Sequence, residues 1–283
     1  MASLVSSWSN KIEYMPADFI MPPERRPGNF LSICKEIPLI DLGQAAGSGR
    51  AQVVQQIIKA GQEFGFFQVI NHGVSEEMMQ DTMDLYKEFF GLPAEENASL
   101  CTDDNSKSCR LFTSGLNYAK EEVHYWKDTL KHPVLPREAV AAYSTEVRKM
   151  GMRLLELIGE GLGLEEGKRF MGFRSAKMGN GMELNPFLML LLSTFVTKCS
   201  NGKLKGAEHR AVLSSSAART SIATFFSPSR ASLIEPAKAL VNASNPQKFT
   251  DFTYKEFLDD FLSHISNKAP RVGTALTPYE LKA

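Results

Sequence analysis

No excess of charge of either sign is present: 32 Lys and Arg residues balance 32 Asp and Glu residues, for a formal net charge of zero. A surface built for nucleic acid or anionic lipid needs a surplus of cations, so neither is expected as a partner. Long apolar runs are also missing. The most apolar stretch, residues 187–196, is broken by Ser193 and Thr194 and is about half the roughly 20 residues a spanning helix requires. No membrane span is therefore expected. The first residues, MASLVSSWSNKIEYM, lack the basic-then-apolar order of a secretory leader. Cysteine is scarce, and Cys34, Cys101, Cys109 and Cys199 fall in no C-x-x-C pair. Free thiols in a reducing, cytoplasmic compartment follow. No internal repeat is found.

What is present is an ordinary globular composition, 43% hydrophobic over 283 residues, enough for a sizeable core. Residues 1–36 contain Pro16, Pro22, Pro23 and Pro27 and read as an extended arm. A short strand is expected at Ile37–Leu42. Val53, Val54, Ile57, Ile58 and Phe64 then recur at helical spacing until Gly65. Phe66–Ile70 reads as a buried strand, Asn71-His72-Gly73 as a turn, and Ser75 as the N-cap of a helix ending near Gly91. Residues 101–120 are polar and irregular. A long helix is expected from about Arg137 to Leu162, with Gly151 and Gly159 as unfavourable interior residues. Residues 187–196 fit either a buried strand or a short helix. Strands are expected at Glu208–Leu213 and Arg219–Phe226 around the turn Ser214-Ser215-Ser216, followed by a helix near Tyr254–Phe261.

Chemistry concentrates in that last hairpin. Side chains two apart on a strand share a face, so Arg219, Ser221, Ala223 and Phe225 line one side. A planar guanidinium meets a carboxylate with two parallel hydrogen bonds, and a hydroxyl nearby adds a third, so the face suits a dicarboxylate. An ordinary amphipathic strand with a surface arginine fits the same spacing.

The runs GKLKGAEHRAV (202–212) and ARTSIATFF (218–226) resemble the end of the catalytic domain of plant iron(II)- and 2-oxoglutarate-dependent dioxygenases. Ile37–Leu42, Gly65–Val74, Leu92–Glu96 and Tyr125–Asp128 are similar to that family's upstream signatures. The resemblance implies an α+β fold in which helices pack on a double-stranded β-helix, or jelly roll. It divides the chain into the arm, an N-terminal dioxygenase region at 37–162 and a jelly-roll core at 163–283, integrated as one domain. It also implies Fe(II) and 2-oxoglutarate as cofactors, with His209 as the second histidine ligand and Arg219 and Ser221 gripping the distal carboxylate of 2-oxoglutarate. Members act as monomers on small plant metabolites; residues 110–112 and 125–128 look most like the group acting on tropane alkaloids and mugineic-acid chelators.

One motif of that family is absent. Two histidines and a carboxylate hold non-haem iron, and the first pair comes as His-x-Asp on one strand. The residues two beyond His72, His124, His132, His209 and His264 are Val74, Trp126, Val134, Ala211 and Ser266. Only Met171–Ser200 stands where His-x-Asp belongs, and the stretch from His132 to Arg137 is also short. The jelly roll is therefore expected to be incomplete. Glu122-Val123-His124 is the sole carboxylate-x-histidine triplet and runs in reverse order. Two readings stay open: a working oxygenase, or a truncated, non-catalytic relative that binds a ligand or a protein.

Overall fold

The computed structural model describes residues 3–26, 36–104, 106–115, 118–132, 138–164, 188–191, 194–207, 209, 213, 218–266 and 276–281. Its helical half follows from local sequence. α1 (Arg50–Glu63) buries Val53, Val54, Ile57 and Ala60 on one face. Gly65 ends it with φ +76°, and a Cβ there would stand 2.8 Å from the carbonyl oxygen of Lys205, so only glycine lets the two segments approach. Lys205 N–H donates to Gly61 O at 3.0 Å in the same crossing.

β2 (Phe66–Ile70) runs parallel to β1 (Leu39–Asp41) and antiparallel to β5 (Leu188–Leu191), with Ile40 opposite Val69 and Phe67 opposite Leu190. Phe67 and Val69 are fully buried, as the apolar run foretold. α2 (Glu76–Gly91) starts at Ser75, whose Oγ accepts from Met78 N–H at 3.1 Å. Glu76 and Glu77 sit in its positive first turn, and Met79, Met83 and Tyr86 point inward. A single turn, α3 (Ala94–Asn97), follows. α4 (Glu138–Gly161) packs on both α1 and α2, burying Val147, Met150, Leu154, Leu157 and Ile158. Its Gly151 proves to be an asset: a methyl there would overlap the tip of the Phe226 ring, so the glycine seats that side chain.

The second half is built of smaller pieces. β3 (Arg110–Thr113), inside the span expected to be irregular, pairs with β4 (Asp128–Lys131) beyond it to form a ribbon. The described part of residues 187–196 holds both alternatives, since Leu188–Leu191 is β5 and α5 (Thr194–Cys199) starts at Thr194. β6 (Leu233–Ile234) pairs with β7 (Phe252–Thr253), and α6 (Tyr254–Ser266) extends beyond the expected helix. Phe195, Phe252, Phe257 and Tyr279 stack together there. Lys198 lies under them, donating Nζ–H to Thr250 O and standing 3.3 Å from the Phe252 ring centroid.

Two expectations need correction, and a third lies outside the described residues. The described part of the N-terminal arm, residues 3–26, is a strap of short 3-10 turns, and Asp128 anchors it by accepting from Val5 and Ser6 N–H at 2.8 Å each. Of the first strand of the expected hairpin, Glu208 and residues 210–212 lie outside the described residues, as does the serine turn. Arg219–Phe226 is described and contains no strand. A strand requires a neighbour to satisfy its N–H and C=O groups. The described residues give this segment none: their strands make one three-stranded sheet and two ribbons.

Candidate functional site

Arg219–Phe226 belongs to no strand among the described residues, and its burial is uneven. Ile222 is buried and Phe226 rests on Gly151, while Arg219 and Phe225 are exposed and Ser221 and Ala223 are half-buried. The face expected to carry the dicarboxylate anchor is thus the outward one. His209 is exposed, and its Nδ1–H donates to Ala207 O at 3.0 Å. That bond fixes the tautomer, leaving Nε2 with the free lone pair a metal would use.

The donor set stops there. Among the described residues no three His, Cys, Asp or Glu side chains gather to hold a metal ion. The other histidines are employed elsewhere. His72 is the turn residue its setting implied, buried, with Val74 N–H donating to Nδ1 at 3.2 Å. His132 is buried with its Nε2 2.7 Å from the Tyr86 hydroxyl. His124 lies flat on Tyr118, ring centroids 3.6 Å apart, and its Nδ1 is 3.2 Å from Glu121 Oε2. The triplet Glu122-Val123-His124 is not a unit, because Glu122 pairs with Arg25 at 2.7 Å. The side chain of His264 lies outside the described residues. Among the described residues, one histidine with no neighbouring carboxylate does not fit an iron centre that needs two histidines and an acid.

Tyr125 and Trp126, in one of the family signatures, lie outside the main core. Tyr125 is exposed, and Trp126 packs edge-on against Trp8 and Phe19 of the strap at 5.3 and 5.2 Å. Periodicity could not reveal a cover more than a hundred residues away. Burial holds several groups from their ordinary ionisation. It pushes the Cys199 thiol and Tyr143 hydroxyl up to about 12 and draws the Lys198 ammonium down to about 8. Arg110, within a run noted only for resemblance, is almost wholly buried.

Residues 37–149 match the profile of the family described as non-haem dioxygenase in morphine synthesis, N-terminal. Hyoscyamine 6-dioxygenase of Hyoscyamus niger is 33% identical, over 99% of this chain and 99% of that protein. The chain belongs to the iron(II)- and 2-oxoglutarate-dependent dioxygenases. Flavanone 3-dioxygenase 2 of Oryza sativa subsp. japonica is 31% identical over 88% of this chain and 90% of its own. The crystal structure of JOX2 in complex with 2OG, Fe and JA superposes with a TM-score of 0.79 at 20% identity, covering 100% of this chain and 98% of that one. The dioxygenase jelly-roll fold is therefore shared.

The alignment with the Hyoscyamus dioxygenase also bears on the missing motif. It spans 352 positions, and this chain has 283 residues, so at least 69 positions (352 less 283) have no counterpart here. Since 99% of both proteins is included, the loss is internal. Among the described residues no helix is long and apolar enough to cross a membrane. Cys101, Cys109 and Cys199 are free thiols, and Cys34 lies outside the described residues.

Proposed function

We propose that this 283-residue dioxygenase relative is non-catalytic and retains only part of the family's site: Arg219 and Ser221 as a carboxylate anchor and His209 as a single ligand. The observation that carries this reading is the missing His-x-Asp, reinforced by an internal gap of at least 69 aligned positions. An isolated imidazole binds iron weakly, because affinity comes from several preoriented ligands with supporting hydrogen bonds. No substrate-oxidising step is therefore assigned to the chain. A small carboxylate is the partner this reading favours, bound by a cytoplasmic monomer.

Anaerobic calorimetry tests it directly. Fe(II) should give no stoichiometric binding heat, while 2-oxoglutarate should bind weakly and bind more weakly still in Arg219→Gln. Tight one-to-one Fe(II) binding, lost in His209→Ala, would restore the oxygenase reading.

A further inference from the structure

The β3–β4 ribbon carries a buried guanidinium, Arg110, one edge of which is left without a hydrogen bond among the described residues. Arg110 opens β3 and is 1% exposed. Its Nε and Nη2 have no hydrogen-bond partner. Those two nitrogens form the side-on edge of a guanidinium, where two N–H bonds run parallel at the spacing of carboxylate oxygens. The plane of the group is already set, because Cζ lies 4.0 Å over the Phe112 ring, on the same face of the strand. Lys131 is directly opposite in register, so two like charges share that face. Asp103 and Asp104 are near enough to favour the charged form, yet Asp104 Oδ1 is taken by the N–H and Oγ of Ser106. An arginine stays protonated, so an unpaired guanidinium buried here is a standing cost unless an anion meets it.

We propose that the side-on edge of Arg110 is a binding site for the carboxylate of a small organic acid, separate from the Arg219 and Ser221 anchor. The ligand's two oxygens accept from Nε and Nη2, and the Phe112 ring closes the flat side of the guanidinium. The site requires neither iron nor turnover, so its fate is independent of the non-catalytic reading.

Thermal denaturation and calorimetry of the full chain test it, with acetate and phenylacetate as probes and phenylacetamide as the neutral match. Both acids should raise the Tm of the wild type and of Arg219→Gln, and phenylacetamide should not. Arg110→Met should abolish the response, and without ligand it should be at least as stable as the wild type. Arg110→Lys keeps the charge and loses the fork; it should bind about tenfold more weakly or worse, and it carries the test should the methionine variant fail to fold. Equal binding by phenylacetamide, unchanged acid binding in the Arg110 variants, or no acid binding at all would overturn the proposal. Acid binding lost only in Arg219→Gln would assign the effect to the other anchor. A concentration-dependent dimer abolished by Arg110→Met would mean that a second chain supplies the carboxylate, which also overturns it.

Discussion

Replacing Gly151 by alanine should destabilise the protein, although the same change in most helices does the opposite. In the middle of α4 the substitution gains about 1 kcal/mol of helix propensity. Here the new methyl would overlap Cζ and both Cε atoms of Phe226, so the ring must leave its seat. Deleting a fully buried phenylalanine costs about 3–5 kcal/mol, and Phe226 is half-buried, so losing its seat forfeits about 2 kcal/mol. The net expectation is a loss of about 1 kcal/mol for Gly151→Ala alone. In a Phe226→Ala background no ring is in the way, and the alanine should stabilise by about 1 kcal/mol. A double-mutant cycle by urea denaturation should thus return a coupling of about 2 kcal/mol. If Gly151→Ala stabilised both backgrounds equally, Phe226 would not be seated on α4. The packing that orients Arg219 and Ser221 outward would then be wrong.

Other outcomes follow from the same structure. Lys198 ionises near 8 in the folded chain against 10.5 unfolded, so its penalty is full below pH 8 and relieved as pH rises to 10.5. Cys199 and Tyr143 shift upward to about 12 from 9 and 10, so the stability they contribute is lost above pH 9–10. Tm should therefore rise from about pH 8 to a maximum near 9–10 and then fall. Lys198→Gln should remove the rise and keep the fall, whereas a wild-type Tm with no rise would refute the assignment. Asp128→Ala should release the strap at a cost of about 1–2 kcal/mol of docking. The readouts are a red shift in the emission of Trp8 and Trp126 and faster tryptic cleavage at Lys11; unchanged emission would contradict the anchor. Ser75→Ala should cost about 1 kcal/mol by urea denaturation, and no change would mean the cap bond is not formed in solution.

Features that depend on neighbours along the chain are legible in the sequence itself. α1 and α4 announce themselves by apolar spacing, β2 by four apolar residues in five, and the Ser75 cap by residue type beside two glutamates. Features that depend on distant partners are not. β3 and β4 are four residues each and exist through their pairing with one another. Arg219–Phe226 has the composition of a strand, but composition cannot supply the neighbouring chain that a ladder needs. Trp126 has the character of a core residue, yet its cover, Trp8, lies far away in sequence. At the site, the family resemblance proposes His209, Arg219 and Ser221, and reading past each histidine exposes the missing ligand pair. The orphaned edge of Arg110 has no local signal, since only burial shows that a charge lacks its partner.

Succinate formation from 2-oxoglutarate tests the non-catalytic reading most directly. The purified chain, supplied with Fe(II), a reductant, oxygen and 2-oxoglutarate, should yield no succinate above the protein-free control, with or without candidate metabolites. Succinate that requires Fe(II) and disappears in His209→Ala would contradict that reading and show a working iron site assembled from residues other than His-x-Asp.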